Sequence, residues 1–410
     1  MKKIKDEIIY AYALKNSLEH DGQAVVGAVI NSLFTEGLEK KNIKKILPKV
    51  QDIIYEINRW DPAVKKKEFE KLKSFISHRK EREGLPPLPK AKTGKVITRM
   101  SPSPSGPLHI GHILAILPNF LYAQKYKGKF YIRIEDTNPD NIYKPAYKMI
   151  KEEAKWLCKN KVKFIIQSER MELYYKYVEF LLNKNTVYVC TCSQEEFKKI
   201  ILTQKACLCR NLPKTEQLKK WKKMLDKTKT GYKPGQAVLR FKSNLKDKNP
   251  AMRDFPLARI NTTSHPLQKK KYKVWPLMNL AVAVDDIEQG ITHLIRGKDH
   301  KDNAKRQEMI YKVLNKQKIY PWTAFIGRLH LKGFQLSSSK ILELIKKGKY
   351  KSWDDPKLLT LSSLKKQNYS PETFYKFTEQ RGISEVDKTI TQKDLIDVLF
   401  NFNKKSKIKK

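Results

Sequence analysis

Along residues 3 to 82 apolar side chains return every three or four positions, as in Ile4-Ile8-Ala11-Tyr12 and Ile46-Val50-Ile53-Ile54, the period of helices that bury one face. This predicts a small helical module. Basic residues gather at its end, in Arg79-Lys80 and Arg82-Glu83, and the run Leu85-Pro86-Pro87-Leu88-Pro89 breaks the period and marks a boundary. A new unit begins near Thr93. Lys95-Val96-Ile97-Thr98-Arg99 reads as a short buried strand and Ser101 to Pro107 as a loop. Helical spacing runs from Gly111 through Tyr126, and Lys129 to Ile134 reads as a second strand. That order is a right-handed βαβ unit, so the predicted class is α/β, with a parallel sheet that offers its carboxyl edge to ligands.

From Tyr188 to about Lys270 the pattern turns irregular and polar, which predicts an insertion. Apolar strands are expected to resume at Val274 and at Ala281 to Val284. Ile291 to Arg296 supplies another strand, and Trp322 to Leu331 leads into a serine-rich loop. Past Trp353-Asp354-Asp355-Pro356 short helices run to the basic tail Lys404-Lys405-Ser406-Lys407-Ile408-Lys409-Lys410, which is expected to fray. The expected division is 1–90, 91–187, 188–270, 271–335 and 336–410, without an internal repeat.

Charge widens the list of partners. Lys+Arg 85 against Asp+Glu 42 leaves a net charge of +43 on 410 residues, a field that gathers polyanions by releasing their counterions. RNA, DNA and anionic membrane surfaces all fit, and a lysine-rich genome would produce the same excess without selection for binding. No apolar run is long enough to span a bilayer, and no signal-peptide core follows Met1 to Asp6, so a cytoplasmic protein is expected. Four of the five cysteines form two pairs, Cys190-Thr191-Cys192 and Cys207-Leu208-Cys209. In a reducing compartment that spacing suits a metal better than disulfides. Tetrahedral zinc and small buried cysteines are the two readings. Cys158 reads as core.

Candidate chemistry concentrates between the first strand and its helix, in Pro102-Ser103-Pro104-Ser105-Gly106-Pro107-Leu108-His109-Ile110-Gly111-His112. A glycine there lets a nucleotide approach the backbone, the helix start offers free amides to phosphate, and two imidazoles three residues apart share one face of the first turn.

With this turn in place the chain resembles the glutamyl/glutaminyl branch of the class I aminoacyl-tRNA synthetases, in the archaeal or eukaryotic-like form. The likeness runs through Arg99, Ser103, His109-Ile110-Gly111-His112 and Arg133-Ile134-Glu135-Asp136-Thr137-Asn138-Pro139. It resumes at Val284-Asp285-Asp286, Arg296-Gly297-Lys298-Asp299-His300 and Trp353-Asp354-Asp355-Pro356. Residues 1–90 resemble the helical extension of archaeal members. The resemblance implies a Rossmann-like nucleotide-binding sheet, an acceptor-binding insertion and a C-terminal helical stem-contact region. It places Arg99 and Arg296 on the γ-carboxylate of glutamate, Glu135 on its α-amino group, Ser101 and Ser103 on the pocket floor, and Met278 where bacterial glutamate enzymes carry tyrosine. The glutamine-specific branch has no arginine at the position of Arg296, a glutamate at that of Ser103 and an aspartate at that of Glu135. ATP would meet Ser105, His109, Gly111, His112, Leu336 and Lys340.

The second signature of the class, a lysine-bearing loop, corresponds to Gln335-Leu336-Ser337-Ser338-Ser339-Lys340. Ser338 stands where many families carry the second lysine, so Lys340 becomes the candidate for the phosphates; a capped helix start is the other reading. The implied catalytic set is His109, His112 and Lys340. The implied activity is ATP- and Mg2+-dependent formation of glutamyl-adenylate and its transfer to tRNA-Glu, with tRNA-Gln as a second acceptor. Some members carry a zinc knuckle at the place of Cys190, Cys192, Cys207 and Cys209. Archaeal members continue into anticodon-reading barrels after the stem-contact helices, which raises a separate anticodon-binding polypeptide, recognition through the acceptor arm alone, or glutamylation of a modified tRNA base. A glutaminyl enzyme and a silent RNA-binding paralogue are the remaining alternatives.

Overall fold

The computed structural model describes residues 4–20, 22–77, 84–333 and 336–407. The basic cluster Arg79-Lys80 and Arg82-Glu83, Gln335 of the lysine-bearing loop, and the tail end 408–410 lie outside the described residues. The chain separates into two compact units, Met1–Glu81 and Arg82–Lys410.

The first unit holds four helices, Asp6–Glu19, Val26–Leu33, Ile43–Asn58 and Pro62–Leu72, around Ile9, Leu14, Val29, Leu33, Val50, Ile53 and Ile57. The helical period of the sequence is the period of this core. Asp61 opens the fourth helix by accepting from the Ala63 amide at 2.9 Å, with Pro62 at its first position.

In the second unit a parallel sheet carries the site. Its strands are β1 (Ile97–Met100), β2 (Lys129–Ile134) and β3 (Lys163–Ile166), in register Ile97↔Lys129 and Tyr131↔Lys163. The helices Ile110–Lys125 and Ala146–Leu157 are the crossovers, and both bury apolar faces against Phe130, Ile132 and Ile134. Each such side chain contributes about 1.5–3 kcal/mol of transfer free energy. The proline-rich stretch packs in this unit: Leu85 and Leu88 are buried with Val96 and Tyr122, whose hydroxyl donates to the Pro86 carbonyl.

The insertion is not irregular. Strands β4 (Val187–Cys190), β5 (Val238–Phe241), β6 (Pro256–Ile260) and β7 (Val274–Pro276) form an antiparallel sheet, flanked by helices Gln194–Leu202 and Lys214–Leu225. Val274 does begin a strand, but one paired with β6. The run Ala281–Val284, expected as a strand, lies in the helix Met278–Glu288, where Leu280 to Asp286 are all buried. A short run that is apolar on every side carries no period to separate the two conformations.

Beyond it, β8 (His293–Gly297) pairs in parallel with β9 (Trp322–Ile326). Thr292 meets Ile97 through its amide, 2.9 Å from the Ile97 carbonyl, and through its hydroxyl, 2.9 Å from the Ile97 amide. The three-stranded sheet and the β8-β9 pair are thus neighbours through β1 and β8, which gives the spatial order β3-β2-β1-β8-β9, a Rossmann-like arrangement. The carboxyl ends of β1, β2 and β8 lie at one edge and carry Arg99, Glu135 and Arg296. A last pair, β10 (Leu329–Lys332) and β11 (Lys388–Thr391), joins helices Ser338–Lys346, Leu361–Lys366, Pro371–Arg381 and Gln392–Lys407.

Candidate active site

Two imidazoles face each other at the start of the helix Ile110–Lys125, ring centroids 3.9 Å apart. His109 Nδ1 accepts from the Gly111 amide at 3.1 Å, and His112 Nδ1 accepts from the His109 amide at 3.2 Å. A ring nitrogen that accepts from a backbone N–H is unprotonated, so each ring is fixed as the tautomer that presents Nε2–H. Burial pushes both pKa values down, with His112 adding to the effect on His109; that of His112 falls to about 4. The pair is thus two neutral donors near neutral pH, suited to negative charge that grows on phosphate oxygens. Gly111 is required by the His109 ring, since a Cβ there would sit 2.9 Å from His109 Cε1.

A second cluster, of opposed charges, gathers β1, β2 and the helix Met278–Glu288. Asp286 takes Arg99 with both oxygens, Nε at 2.7 Å and Nη2 at 2.8 Å, and takes Arg133 Nη1 at 2.7 Å. Burial opposes the charge of Asp286, but Arg99 and Arg133 overcome it and hold the pKa down to about 2. Asp285 accepts from Arg170, Tyr174 and Gln167. Arg133 is 0% exposed and reaches Glu135 at 3.8 Å. Burial raises the pKa of Glu135, and Arg133, Arg99 and Arg296 pull it back.

Arg296 differs from the rest. It is 7% exposed, its Nη1 donates to Gln307 Oε1 at 2.8 Å, and its Nε has no partner among the described residues. Burial and Arg99 lower its pKa to about 10. Asp286 and Glu135 act on it from a distance, but no carboxylate among the described residues pairs with it directly; a buried cation without such a pair is costly unless an anion arrives, so this fork is poised for one.

Of the expected pocket residues, Arg99, Ser101, Glu135 and Arg296 come together, with Ser101 Oγ 3.2 Å from Arg99 Nη1. Ser103 is exposed, and Met278, 39% exposed, opens its helix without a polar tie to the arginines. Of the residues expected to meet ATP, Ser105 donates its amide to the Ser103 carbonyl, and Leu336 lies 3.8 Å from where a Gly111 Cβ would stand. Ser338 and Trp353 pack on Gly106: a Cβ there would meet Ser338 Cβ at 2.9 Å and Trp353 Cη2 at 3.0 Å. Lys340 is exposed on the first turn of its helix, and its electrostatic neighbour is Glu343. The segment after Trp353 reaches the histidine turn directly, with Ile110 N 3.0 Å from the Leu359 carbonyl and Leu361 N 2.8 Å from that of Leu108.

In the insertion the sulfurs of Cys190, Cys192, Cys207 and Cys209 all lie within 4.8 Å of one another, Cys190 and Cys207 at 3.9 Å. A tetrahedron with Zn–S of about 2.3 Å has edges of about 3.8 Å, so this set fits zinc. Thr191 supports Cys209 from its amide at 3.4 Å, the kind of outer partner that orients a metal ligand.

Residues 95–405 match the family model described as tRNA synthetases class I (E and Q), catalytic domain. The chain belongs to this family. It is 39% identical to the glutamate–tRNA ligase of Pyrococcus furiosus over 401 residues, 95% of this chain and 69% of that protein. With that of Methanothermobacter marburgensis identity is 38% over 393 residues, 95% and 70% of the two chains. The crystal structure of a glutamate tRNA ligase from Elizabethkingia meningosepticum is similar in fold, with a TM-score of 0.53 and 20% identity over 76% of this chain and 69% of that one.

For a synthetase of this family the sequence alone leaves several residues without a role. Asp285 and Asp286 stand in a motif that carries the resemblance, yet the Asp286 partners Arg99 and Arg133 are more than 150 positions away in the chain. The doublet at the end of an apolar run is the available signal, since two adjacent buried carboxylates need cations. Arg133 stands in the motif Arg133-Ile134-Glu135-Asp136 but without an assigned role, and Arg170, Gln307 and Asn279 carry no signal of their own.

Proposed function

We infer that this chain is a glutamate–tRNA ligase, which activates glutamate with ATP and transfers it to the 3′ end of tRNA. The observation that carries the reading is Arg296, a buried guanidinium with no carboxylate at hydrogen-bond or ion-pair distance among the described residues, although Asp286 and Glu135 lie within electrostatic reach. Glutamine offers no charge to such a fork, which sets the glutaminyl reading aside.

In the proposed arrangement the α-amino group of glutamate meets Glu135, and the γ-carboxylate meets Arg296 and Arg99, with Ser101 and Ser103 on the floor and Met278 at the rim. The α-carboxylate is left free to attack the α-phosphorus of ATP in line, and Mg2+-bound pyrophosphate leaves. His109 and His112 offer their Nε2–H groups to the reacting phosphate, and Lys340, Leu336, Ser105 and Gly111 complete the nucleotide site. Positioning and fixed donors supply the rate, and no general base is invoked. In the second step a terminal ribose hydroxyl attacks the activated carbonyl, and AMP departs.

The insertion, 188–270, is proposed to guide the acceptor end, with zinc on Cys190, Cys192, Cys207 and Cys209, and 336–410 to meet the stem. A cytoplasmic setting agrees with the absence, among the described residues, of any helix long and apolar enough to cross a membrane; cell fractionation tests it. The proposal also includes tRNA-Gln as an acceptor and a separate anticodon-binding polypeptide. Equal charging of anticodon-substituted tRNA-Glu would remove the role of that partner.

The decisive assay is ATP-dependent charging of purified tRNA-Glu and tRNA-Gln with labelled glutamate and, separately, labelled glutamine. Glutamate in a base-labile ester at the 3′ end is the expected result. Glutamine in its place would make the enzyme a glutaminyl one, and glutamate in an acid-stable linkage elsewhere would make it a base-modifying transferase.

A further inference from the structure

The arginines of the site are held in two ways. Arg99, Arg133 and Arg170 are each fixed by a carboxylate, Asp286 or Asp285. Arg296 is fixed by an amide. Its Nη1 donates to Gln307 Oε1 at 2.8 Å, and Gln307 Nε2 donates in turn to Asn279 Oδ1 at 3.3 Å. Gln307 is 2% exposed and Asn279 8%, and they lie on the helices Lys301–Val313 and Met278–Glu288, which pack together.

An amide and a carboxylate occupy almost the same space, so size did not require glutamine at this position. They differ in what they leave to the arginine. A carboxylate 2.8 Å away would spend the charge of Arg296 inside the protein, whereas a neutral acceptor orients the fork and leaves its charge for a ligand. We propose that Gln307, itself held by Asn279, is a positioning and specificity-determining residue: it aims Arg296, and its neutrality is what lets the site prefer an acid side chain over its amide. The inference rests on the reading that Arg296 receives the γ-carboxylate of glutamate.

The test compares wild-type enzyme with Gln307→Glu and Gln307→Met in tRNA charging, with KM and kcat measured for glutamate, glutamine and ATP and folding checked by thermal melting. The carboxylate introduced by Gln307→Glu would keep a hydrogen-bonded partner, because the Asn279 amide can turn to donate. Gln307→Glu is expected to raise KM for glutamate by about 30-fold or more, the scale of a missing charge-assisted hydrogen bond. KM for ATP and kcat should stay near wild type, and the preference for glutamate over glutamine should fall. Gln307→Met removes the aim without adding charge, so its KM for glutamate should rise less and the preference should persist. Equal effects of the two substitutions with an unchanged preference would reduce Gln307 to a packing role and overturn the proposal, as would wild-type KM in Gln307→Glu. If wild-type enzyme instead shows no glutamate-dependent turnover, the functional reading itself fails and the inference falls with it.

Discussion

Asp286 shows how much one side chain carries. It fixes the Arg99 fork and keeps that cation from standing alone, and it shares an oxygen with Arg133, which also reaches Asp285 and Glu135. Removing one partner of a buried ion pair costs about 3–5 kcal/mol, because the other charge stays behind. Asp286→Ala is therefore expected to lower the melting temperature markedly and to abolish glutamate charging; a variant of unchanged stability would show that solvent reaches this cluster. The imidazoles make a prediction of opposite sign to the usual histidine switch. Burial depresses His112 to about 4, below the ordinary unfolded value, so the unfolded chain binds the proton first. The stability that His112 contributes is whole above about pH 6.5 and is lost as pH falls toward 4. His112→Gln should flatten the decline of melting temperature across that window, while charging by the wild type should show no basic limb from either histidine, since both are neutral there.

The lysine-bearing loop is not an independent lid in this arrangement, because its helix start rests on the loop before the histidine turn at Gly106. The position of Ser338 there leaves no room for a side chain on residue 106. Gly106→Val forces overpacking worth about 1–3 kcal/mol, and the cheapest relief is to push the segment 336–340 outward. KM for ATP should rise roughly tenfold or more on that scale, with little change in KM for glutamate; an unaltered KM for ATP would detach the loop from nucleotide binding. The two cysteine pairs give a second test. Purified protein is expected to carry one zinc per chain by elemental analysis, and Cys209→Ser to lose it and melt earlier; metal-free protein of the same stability would leave four free thiols, three of them buried. Much of this was legible in the chain. Strand, loop, helix, strand could be read because each element kept its own period, and the histidine turn because its residues are neighbours. Ala281–Val284 misled because a helix buried on all sides has no polar face to betray its period, and the irregular polar stretch concealed three of the four antiparallel strands, the one at Val274 alone being legible. The ties of Asp286 and Gln307 were out of reach, because they join residues that only the fold brings together.

At the scale of the molecule the question is whether a net charge of +43 is function or background. Both accounts place lysines on the surface, but only one makes particular lysines release counterions from RNA. The helix Gln392–Lys407 separates them, since Lys393, Lys404 and Lys405 are exposed on it, away from the glutamate pocket in sequence and unneeded for its ion pairs. If the surface binds tRNA, the KM for tRNA should rise at least about tenfold between roughly 50 and 200 mM salt, while the KM for glutamate, set by enclosed charges, barely moves. Replacing the three lysines by glutamine should then reduce the slope of log KM against log salt by about 2, at roughly 0.7 for each phosphate no longer neutralised, without changing the maximal rate. An unchanged slope would assign these lysines to the composition of the chain rather than to its substrate, and would move the RNA footprint toward the insertion, where the 3′ end must enter if it is to meet the activated glutamate.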